Sequence, residues 1–277
     1  MKLNKKAIEY IPTTAKNGSK TYLCFSAHQD DIEIMAYHGI INAYENNDTC
    51  FVACVTTDGA GSARSGRYES YTDDEMKLVR VEEQKQASEI GHYNKLYLLN
   101  YTSKEVKSKD NEDVINDYVE IIKKHKPEVV YTHNLADKHD THLGVVTKVI
   151  KAIRKLPKED RPSKLLGCEV WRDLDWYSDK EKVLLDVSSN PKLANDLLIA
   201  FDSQIAGGKR YDLATAGRRL ANATYAESHS VDNISAISNA MDLTPLILDD
   251  SLDIVEFITS KVMDFYEDVK NKVGRLC

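Results

Sequence analysis

The first half of the chain alternates short apolar runs with longer amphipathic stretches, and this alternation constrains the fold more than any other feature. Strand–helix alternation at this spacing predicts a parallel sheet whose helices cover both faces. We therefore expect an α/β fold with a mostly parallel, Rossmann-like sheet. The predicted strands are residues 21–27, 50–56, 95–99 and 128–132, and the predicted helices are residues 33–44, 74–91, 110–125 and 141–156.

The second half of the chain is less regular and predicts an addition to this sheet. No internal repeat or low-complexity tract marks a domain boundary. We expect a single domain over residues 1–277, with a core at about 20–160 and a C-terminal elaboration at about 165–277. The predicted elements are a turn at 157–163, strands at Glu169–Trp171 and Lys182–Val187, and helices at 191–205, 212–225 and 252–273.

Composition and charge exclude two classes of partner. The 277 residues carry 37 basic and 44 acidic side chains, which gives a net charge of −7. This balance excludes a protein that binds nucleic acid through a generally basic surface. It also leaves no polybasic patch with which the protein could bind a membrane. No run approaches the ~18 apolar residues of a membrane span. The sequence therefore favours a small neutral or metal-bound substrate, with no nucleic acid and no membrane as partner.

Cysteine use and the N-terminal segment bear on the cellular compartment. The five cysteines are scattered and contain no CxxC pair. That pattern is typical of reduced thiols in a cytosolic protein. Residues 1–20 contain lysines but lack the apolar core of a secretory signal. We therefore expect a cytoplasmic protein.

Two clusters of polar residues follow the first and the fourth predicted strand. In an open α/β sheet, sites form outside the carboxyl ends of the strands, so both clusters are expected at one edge. Each cluster contains two side chains three residues apart, a spacing that converges them at a helix start. The first cluster is His28, Asp30, Asp31 and Glu33, and the second spans Asp137–His142.

These residue types predict a metal-dependent hydrolytic site. Hydrolytic zinc is typically held by two histidines and one carboxylate with an open position for water, and His28, Asp31 and His142 supply that set. The metal lowers the pKa of its water to around 7. Asp30 is then the predicted general base, and His139 the predicted donor to the oxyanion. We expect one Zn²⁺ per chain, with other divalent metals also compatible.

The same two patterns admit structural and chemical alternatives. A His-x-x-Asp pair at a helix start often serves as an N-cap or a salt bridge, and a His-x-x-His pair on a surface helix is mostly solvated. A non-haem iron enzyme uses the same two histidines and one carboxylate. A non-catalytic sugar-binding protein is the third alternative. Asp30 and His139 favour hydrolysis, because an oxygenase needs neither. A degenerate binding site is expected to have lost Asp30 or a ligand, and none is missing.

The two motifs resemble those of a known family. Ala27-His-Gln-Asp-Asp-Ile-Glu33 resembles the Ala-His-Pro-Asp-Asp-x-Glu signature of the PIG-L/LmbE-like deacetylases, and Asp137–His142 resembles their Asp-x-His-x-x-His segment. These zinc-dependent enzymes remove acetyl from N-acetylglucosamine-type sugars and related amides. The resemblance spans about residues 20–230, and its weaker landmarks are Thr57–Gly59, Arg80–Glu83, Glu169–Trp171, Asp202–Gln204 and Ala226–Glu227.

The resemblance implies an activity and a role for each site residue. The activity is removal of an acyl group from the amide nitrogen of an N-acetylated amino sugar or its conjugate. The roles agree with those expected from the chemistry of the residues. The resemblance assigns His28, Asp31 and His142 to zinc, Asp30 to the base, His139 to the oxyanion and Arg80 to the substrate.

Three positions depart from the family pattern or allow a second role. Arg80 could instead form a salt bridge with Glu83 or Asp74. Gln29 replaces the usual proline, which leaves the turn before the predicted base less constrained. Asp140-Thr141 replaces a frequent Pro-Asp pair, so the partner that orients a ligand is expected elsewhere.

Ala60–Tyr71 is predicted to be a long polar loop beside the site, where Tyr68 and Tyr71 could stack on a sugar. Its role is left open by the sequence. So are the choice of N-acylated substrate, the native metal and the association of identical chains into a homo-oligomer.

Overall fold

Strands and helices alternate along the chain, as the sequence predicted. A computed structural model describes residues 2–109, 111–206, 208–227 and 229–277. The strands in these residues are β1 (Ile8–Tyr10), β2 (Lys20–Ser26), β3 (Thr49–Thr57), β4 (Lys95–Tyr101), β5 (Val129–His133), β6 (Lys164–Cys168), β7 (Lys182–Asp186) and β8 (Ile237–Asp242). The helices are α1 (Asp31–Met35), α2 (Tyr37–Glu45), α3 (Asp73–Ile90), α4 (Ser103–Lys107), α5 (Glu112–His125), α6 (Asp140–Arg154), α7 (Pro191–Ile199), α8 (Asp202–Ala206), α9 (Tyr211–Thr224), α10 (Pro245–Leu248) and α11 (Ile254–Gly274).

These strands form one sheet in the order β1-β4-β3-β2-β5-β6-β8-β7. The run from β4 to β6 is parallel throughout. β1 pairs antiparallel with β4 at one edge, and β8 pairs antiparallel with both β6 and β7 at the other. The predicted α/β fold with a mostly parallel sheet is therefore confirmed.

The order of the strands reverses between β2 and β5. The chain builds outward from β2 through β3 to β4, and then returns to place β5 on the other side of β2. Such a reversal leaves a crevice outside the carboxyl ends of the two central strands. Because β2 ends at Ser26 and β5 at His133, the segments holding the two polar clusters meet at this crevice.

Apolar layers cover both faces of the sheet. Phe25 and Val130 pack with α5 and α6 on one face. Their neighbours Cys24 and Tyr131 point the other way and pack with α1, α2 and α7. All nine residues of β3 are buried, as expected of a parallel strand that is covered on both faces.

The prediction of a strand at Glu169–Trp171 is wrong. The strand is Lys164–Cys168, which pairs with β5, and Glu169 follows it. The buried Glu169 carboxylate accepts hydrogen bonds from the backbone N–H groups of Leu174 at 2.7 Å and Asn239 at 3.0 Å. These contacts hold the residues after Cys168 in a loop, because the Glu169 carboxylate takes the place of the backbone carbonyl groups to which the N–H groups would bond in a sheet.

The helix predicted at residues 33–44 is divided into α1 and α2. Arg219 from α9 donates hydrogen bonds to the carbonyl oxygens of Glu33 and Ile34. These oxygens are therefore turned away from the helical ladder, and α2 starts after Ala36. The predicted helix at 191–205 is likewise divided into α7 and α8. The helix predicted to start at Asp110 begins at Glu112, and Asp110 lies outside the described residues.

The structure bears on the expectations that the cysteines are reduced and that no segment spans a membrane. Cys24, Cys50, Cys54 and Cys168 are free and buried, whereas Cys277 is free and exposed. The buried free thiols agree with the expectation of reduced cysteines. Within the described residues, no helix combines the length and apolar character needed to cross a membrane.

The environment of His125 predicts a loss of stability in acid. Burial, followed by the nearby Lys124 and Lys95, lowers the pKa of His125 to about 4. The unfolded chain then binds more protons than the folded chain between the ordinary histidine pKa of about 6.5 and pH 4, so stability falls as the pH falls through this window. His125→Gln should flatten the decline, because glutamine does not titrate yet can still bond the Tyr97 hydroxyl.

Urea denaturation at several pH values between 7 and 4.5 would measure this effect. His229→Gln, in an exposed loop, is the matched control and should retain the slope of the unchanged protein. Equal slopes for His125→Gln and the unchanged protein would contradict the prediction.

Candidate active site

The site lies in the crevice between β2 and β5. His28 follows β2, Asp30 is the N-cap of α1 and Asp31 is the first residue of that helix. His139 is the N-cap of α6, and His142 lies in its first turn. The structure thus brings together the five residues predicted from the sequence to be the ligands, the base and the oxyanion donor.

Three side-chain atoms of this group form a nearly equilateral triangle. His28 Nδ1 lies 3.2 Å from His142 Nε2 and 3.3 Å from Asp31 Oδ2. His142 Nε2 lies 3.4 Å from Asp31 Oδ2. Asp31 and His142 are buried, whereas His28 is partly exposed. The triangle therefore has one side that is open to solvent, which a substrate could approach.

Two further buried side chains surround the triangle. His133 stacks on His142 with ring centroids 3.8 Å apart, and its Nε2 accepts a hydrogen bond from the Ala27 N–H at 2.9 Å. Asp137 Oδ1 lies 3.3 Å from His142 Nδ1, and Asp137 Oδ2 accepts a hydrogen bond from the Trp171 N–H at 3.1 Å. Asp137 is thus placed where a carboxylate orients a metal-binding histidine. It is the partner expected from outside the Asp140-Thr141 pair.

The buried charges change one another's pKa values. Burial alone would raise the pKa of Asp31, but the surrounding histidines, His142 first, hold it well below its usual range. Burial lowers the pKa of His142, but the neighbouring carboxylates outweigh this and raise it. Burial raises the pKa of Asp30 to about 6, against the opposing effect of Arg80. The site thus holds one firmly ionised carboxylate beside one that can exchange a proton near neutral pH.

Asp30 is held in place by Arg80. Asp30 Oδ2 accepts a hydrogen bond from Arg80 Nη2 at 2.9 Å. Arg80 also donates to the backbone oxygen of Gln29 and, at 2.7 Å, to Glu83, which in turn accepts hydrogen bonds from Ser203. Arg80 is only 1% exposed, yet it borders the site cavity. Arg80 can therefore form its salt bridge with Glu83 and at the same time border the site cavity.

The backbone around Asp30 is strained. Asp30 has a φ of 85°, in the region that favours glycine. Such a conformation costs about 1–3 kcal/mol and persists only where the surroundings impose it. Gln29 Nε2 donates to the Thr57 oxygen at 3.1 Å and ties the turn to the end of β3. Gly59 also has a positive φ, and a Cβ there would lie 2.7 Å from Gln29 Oε1.

The local hydrogen bonds of His139 fix the position of its proton. Its Nδ1 accepts a hydrogen bond from the Thr141 N–H at 3.2 Å, so a neutral ring carries its proton on Nε2. Burial, followed by His28 and His142, lowers the pKa of His139 and favours this neutral form. The ring centroid lies 4.9 Å from that of His28 and 4.8 Å from that of His142. His139 therefore has an N–H donor beside the triangle.

A cavity of about 300 Å³ opens onto these residues. This volume is at the lower end of the range for small-molecule sites. His28, Asp30, Asp31 and His139 border the cavity, as does the segment that follows β3. Part of its wall comes from the C-terminal half of the chain, namely Trp171, Gln204, Lys209 and Tyr211.

The wall residues were largely missed by reasoning from sequence. Trp171 follows β6, and this position at the carboxyl edge of the sheet is a signal that could have found it. Tyr211 starts α9 and reaches the cavity only through tertiary packing, which no local pattern indicates. Residues 60–63 of the predicted loop border the cavity. The hydroxyl of Tyr68, one of the two tyrosines proposed from the sequence to stack on a sugar, donates a hydrogen bond to Asp202 at 2.8 Å.

Comparison with known families confirms the resemblance seen in the motifs. Residues 23–153 match the PIG-L family, which is described as GlcNAc-PI de-N-acetylase. This match includes both polar clusters and runs from the middle of β2 into α6. The chain matches no curated protein sequence.

Solved structures with different activities share the fold. An N,N′-diacetylchitobiose deacetylase from Pyrococcus horikoshii has a TM-score of 0.67 and 16% identity, over 83% of this chain and 86% of the other. GalB, the 4-carboxy-2-hydroxymuconate hydratase from Pseudomonas putida, has a TM-score of 0.63 and 18% identity, over 81% and 96%. A deacetylase of teicoplanin biosynthesis has a TM-score of 0.56 and 11% identity, over 80% and 97%. The fold alone therefore does not determine the reaction.

The contacts of Arg80 predict a large loss of stability on its removal. Arg80→Ala would leave Asp30 and Glu83 as buried, uncompensated carboxylates. Removing one partner of a buried ion pair costs about 3–5 kcal/mol. Lys77→Ala in the same helix breaks pairs with the partly buried Asp58 and the exposed Asp74, and should cost at most about 1 kcal/mol. Urea denaturation of the two variants measures both values, and similar small losses would show that Arg80 is not structurally required.

Proposed function

We propose that the protein is a metal-dependent hydrolase that removes an acyl group from the nitrogen of an N-acetylated amino sugar or its conjugate. The observation that carries the proposal is the triangle of His28, Asp31 and His142 atoms, with Asp30 and His139 beside it. The PIG-L match over residues 23–153 supports the class of reaction.

The triangle fits a tetrahedral metal ion. With ligand distances of roughly 2.0–2.1 Å, a tetrahedral Zn²⁺ separates its ligand atoms by about 3.3–3.4 Å. The three observed separations are 3.2, 3.3 and 3.4 Å. His28, Asp31 and His142 would therefore hold the ion with little rearrangement. We propose zinc, but the same two histidines and one carboxylate also suit iron and other divalent metals.

Two other groups of potential ligands are less suitable. His28, His139 and His142 lie close enough to share an ion, but this set holds no carboxylate and His139 Nδ1 already accepts the Thr141 N–H. Asp31, His133 and His142 also lie close enough. His133 Nε2, however, already accepts the Ala27 N–H, so its lone pair is not free for a metal. His133 is better suited to packing against His142 and fixing the orientation of that ring.

The residues beside the metal position divide the work of hydrolysis. A bound zinc ion supplies Lewis acidity, which polarises an amide carbonyl and lowers the pKa of water. The Asp30 carboxylate accepts the proton of the attacking water and passes it to the departing amine nitrogen. The His139 Nε2–H donates to the carbonyl oxygen as it gains negative charge. Arg80 orients Asp30 through the hydrogen bond between the two side chains. A contact between Arg80 and the substrate would be a second role of this residue.

The cavity favours a substrate with one small ring at the site. Trp171 and Tyr211 offer apolar surfaces on which a sugar face can pack, and Lys209 and Gln204 offer polar contacts. One structural relative is a deacetylase of N,N′-diacetylchitobiose, a sugar of this chemical class. We therefore propose an N-acetylated sugar or glycoconjugate as the substrate.

The ligand assignment predicts the metal content of variants. His142→Ala should lose most of the roughly one metal ion per chain, because two ligands alone hold zinc poorly. His139→Ala is the matched control from the same segment and should retain it. Elemental analysis after dialysis against a mild chelator gives the content, and the rise in Tm on adding metal gives a second readout. Full metal content in His142→Ala would overturn the assignment.

The division of labour predicts distinct kinetic losses. Asp30→Asn should retain metal but lower kcat by roughly 10²–10⁴-fold, because asparagine cannot accept the proton. His139→Ala should lower kcat by roughly 10²–10³-fold. Asp140→Asn changes an exposed carboxylate of the same motif region and should have little effect. Normal turnover by both Asp30→Asn and His139→Ala would exclude this mechanism.

Acetate release provides the direct test of the proposed function. N-Acetylglucosamine and N,N′-diacetylchitobiose should each yield acetate and a free amine, which NMR detects together. One teicoplanin deacetylase of this fold is described in a zinc-inhibited form, so Zn²⁺ should be titrated from substoichiometric amounts. Release that depends on metal and on Asp30 supports the proposal. No release from any N-acetylated sugar at any metal ratio would contradict it.

A further inference from the structure

The C-terminal helix α11 presents an uncovered apolar face. Its start packs against the core through Ile254, Phe257 and Ile258, and the Phe265 ring meets that of Trp176 edge to face with centroids 6.3 Å apart. Beyond Ile258 its large apolar side chains are nevertheless exposed by 43–89%, and contiguous apolar surface of this kind marks an interaction site. These side chains include Val262, Phe265, Tyr266, Val269 and Val273, together with Leu276 in the turn that follows.

The exposed side chains form one narrow stripe. At 3.6 residues per turn, Val262, Phe265, Val273 and Leu276 all lie within about 40° of the direction of Val269. Their spacings of three, four and seven residues are those of a seam along which two helices pack. The stripe therefore has the geometry of a helix–helix interface.

The stripe is symmetric about Val269. Reversing the direction of the helix about this residue exchanges Val262 with Leu276 and Phe265 with Val273. The charges are arranged in the matching way. Residues 261–268 carry three acidic and one basic side chain, whereas residues 269–275 carry three basic and no acidic side chains. An antiparallel copy would thus place apolar on apolar residues and acidic on basic segments in the same register.

We propose that α11 binds α11 of a second copy of this chain, antiparallel, with Val269 of each copy at the two-fold axis. Such a contact is isologous, because the same patch serves on both sides. A membrane surface suits the helix less well. Its four acidic and three basic side chains nearly balance, whereas helices that lie on membranes are typically rich in lysine and arginine.

Sedimentation velocity of the full chain tests the proposal. The unchanged protein should be a dimer, and Val269→Glu should raise its dissociation constant at least about tenfold, because it places two like charges at the axis. Asn271→Glu is the matched control, since it adds the same charge about 200° around the same helix. Circular dichroism should show equal helix content in both variants. A monomeric unchanged protein, or a dimer that Val269→Glu leaves intact, would overturn the proposal.

Disulfide trapping tests the direction of the two helices. Cys277 is exposed and the other cysteines are buried, so Cys277→Ser gives a suitable background. Adding Val262→Cys and Leu276→Cys should yield an intermolecular disulfide between positions 262 and 276, identified by peptide mass spectrometry. Disulfides only between like positions would show parallel helices and contradict the register. Binding of the unchanged monomer to phosphatidylcholine–phosphatidylserine vesicles through α11 would instead identify a lipid surface as the occupant.

Discussion

The carboxylate of Asp31 is the charge on which the arrangement of the site depends. It is 2% exposed, and a buried ion costs several kcal/mol unless its surroundings compensate for it. The compensation comes from separate parts of the fold. The backbone N–H of His28 donates to Asp31 Oδ2 at 2.6 Å, and the rings of His28 and His142 lie 3.3 and 3.4 Å from that oxygen. His28 follows β2 and His142 lies in the helix that follows β5, so the reversal of strand order is what brings the compensating groups to Asp31.

Helix α3 braces the same region from behind. Arg80 bonds Asp30, and Gln84 donates at 2.8 Å to Glu33, which also accepts a hydrogen bond from the Tyr93 hydroxyl at 2.7 Å. Burial raises the pKa of Glu33 to about 8, so this acid is mostly protonated at neutral pH and adds little charge to the site. The first cluster of the sequence thus contains three carboxyl groups with different environments: Asp31 is compensated by imidazoles, Asp30 by a guanidinium, and Glu33 by neutral hydrogen-bond donors.

Much of this arrangement could be predicted from sequence because it depends on local spacing. Apolar strands alternating with helices indicated the parallel sheet. The pairs of polar residues three positions apart, each following a strand, indicated the edge that carries the site and the residues that meet there. Contacts between distant segments could not be predicted in this way. Arg219 divides the first helix by taking its carbonyl oxygens, Glu169 replaces a predicted strand with a loop, and Tyr211 enters the cavity wall. Each effect depends on where a residue of the C-terminal half lies after folding, and periodicity does not report that.

The positive φ of Asp30 sets backbone strain against a buried ion pair at one position. Glycine would relieve the strain, whereas asparagine would gain little, because aspartate and asparagine are both enriched at positive φ. Glycine would also remove one of the two carboxylates that pair with the buried Arg80 guanidinium. The relief of about 1–3 kcal/mol of strain is therefore set against the cost of breaking a buried ion pair, about 3–5 kcal/mol. A designer who optimises thermal stability at position 30 would have to replace Arg80 in the same step.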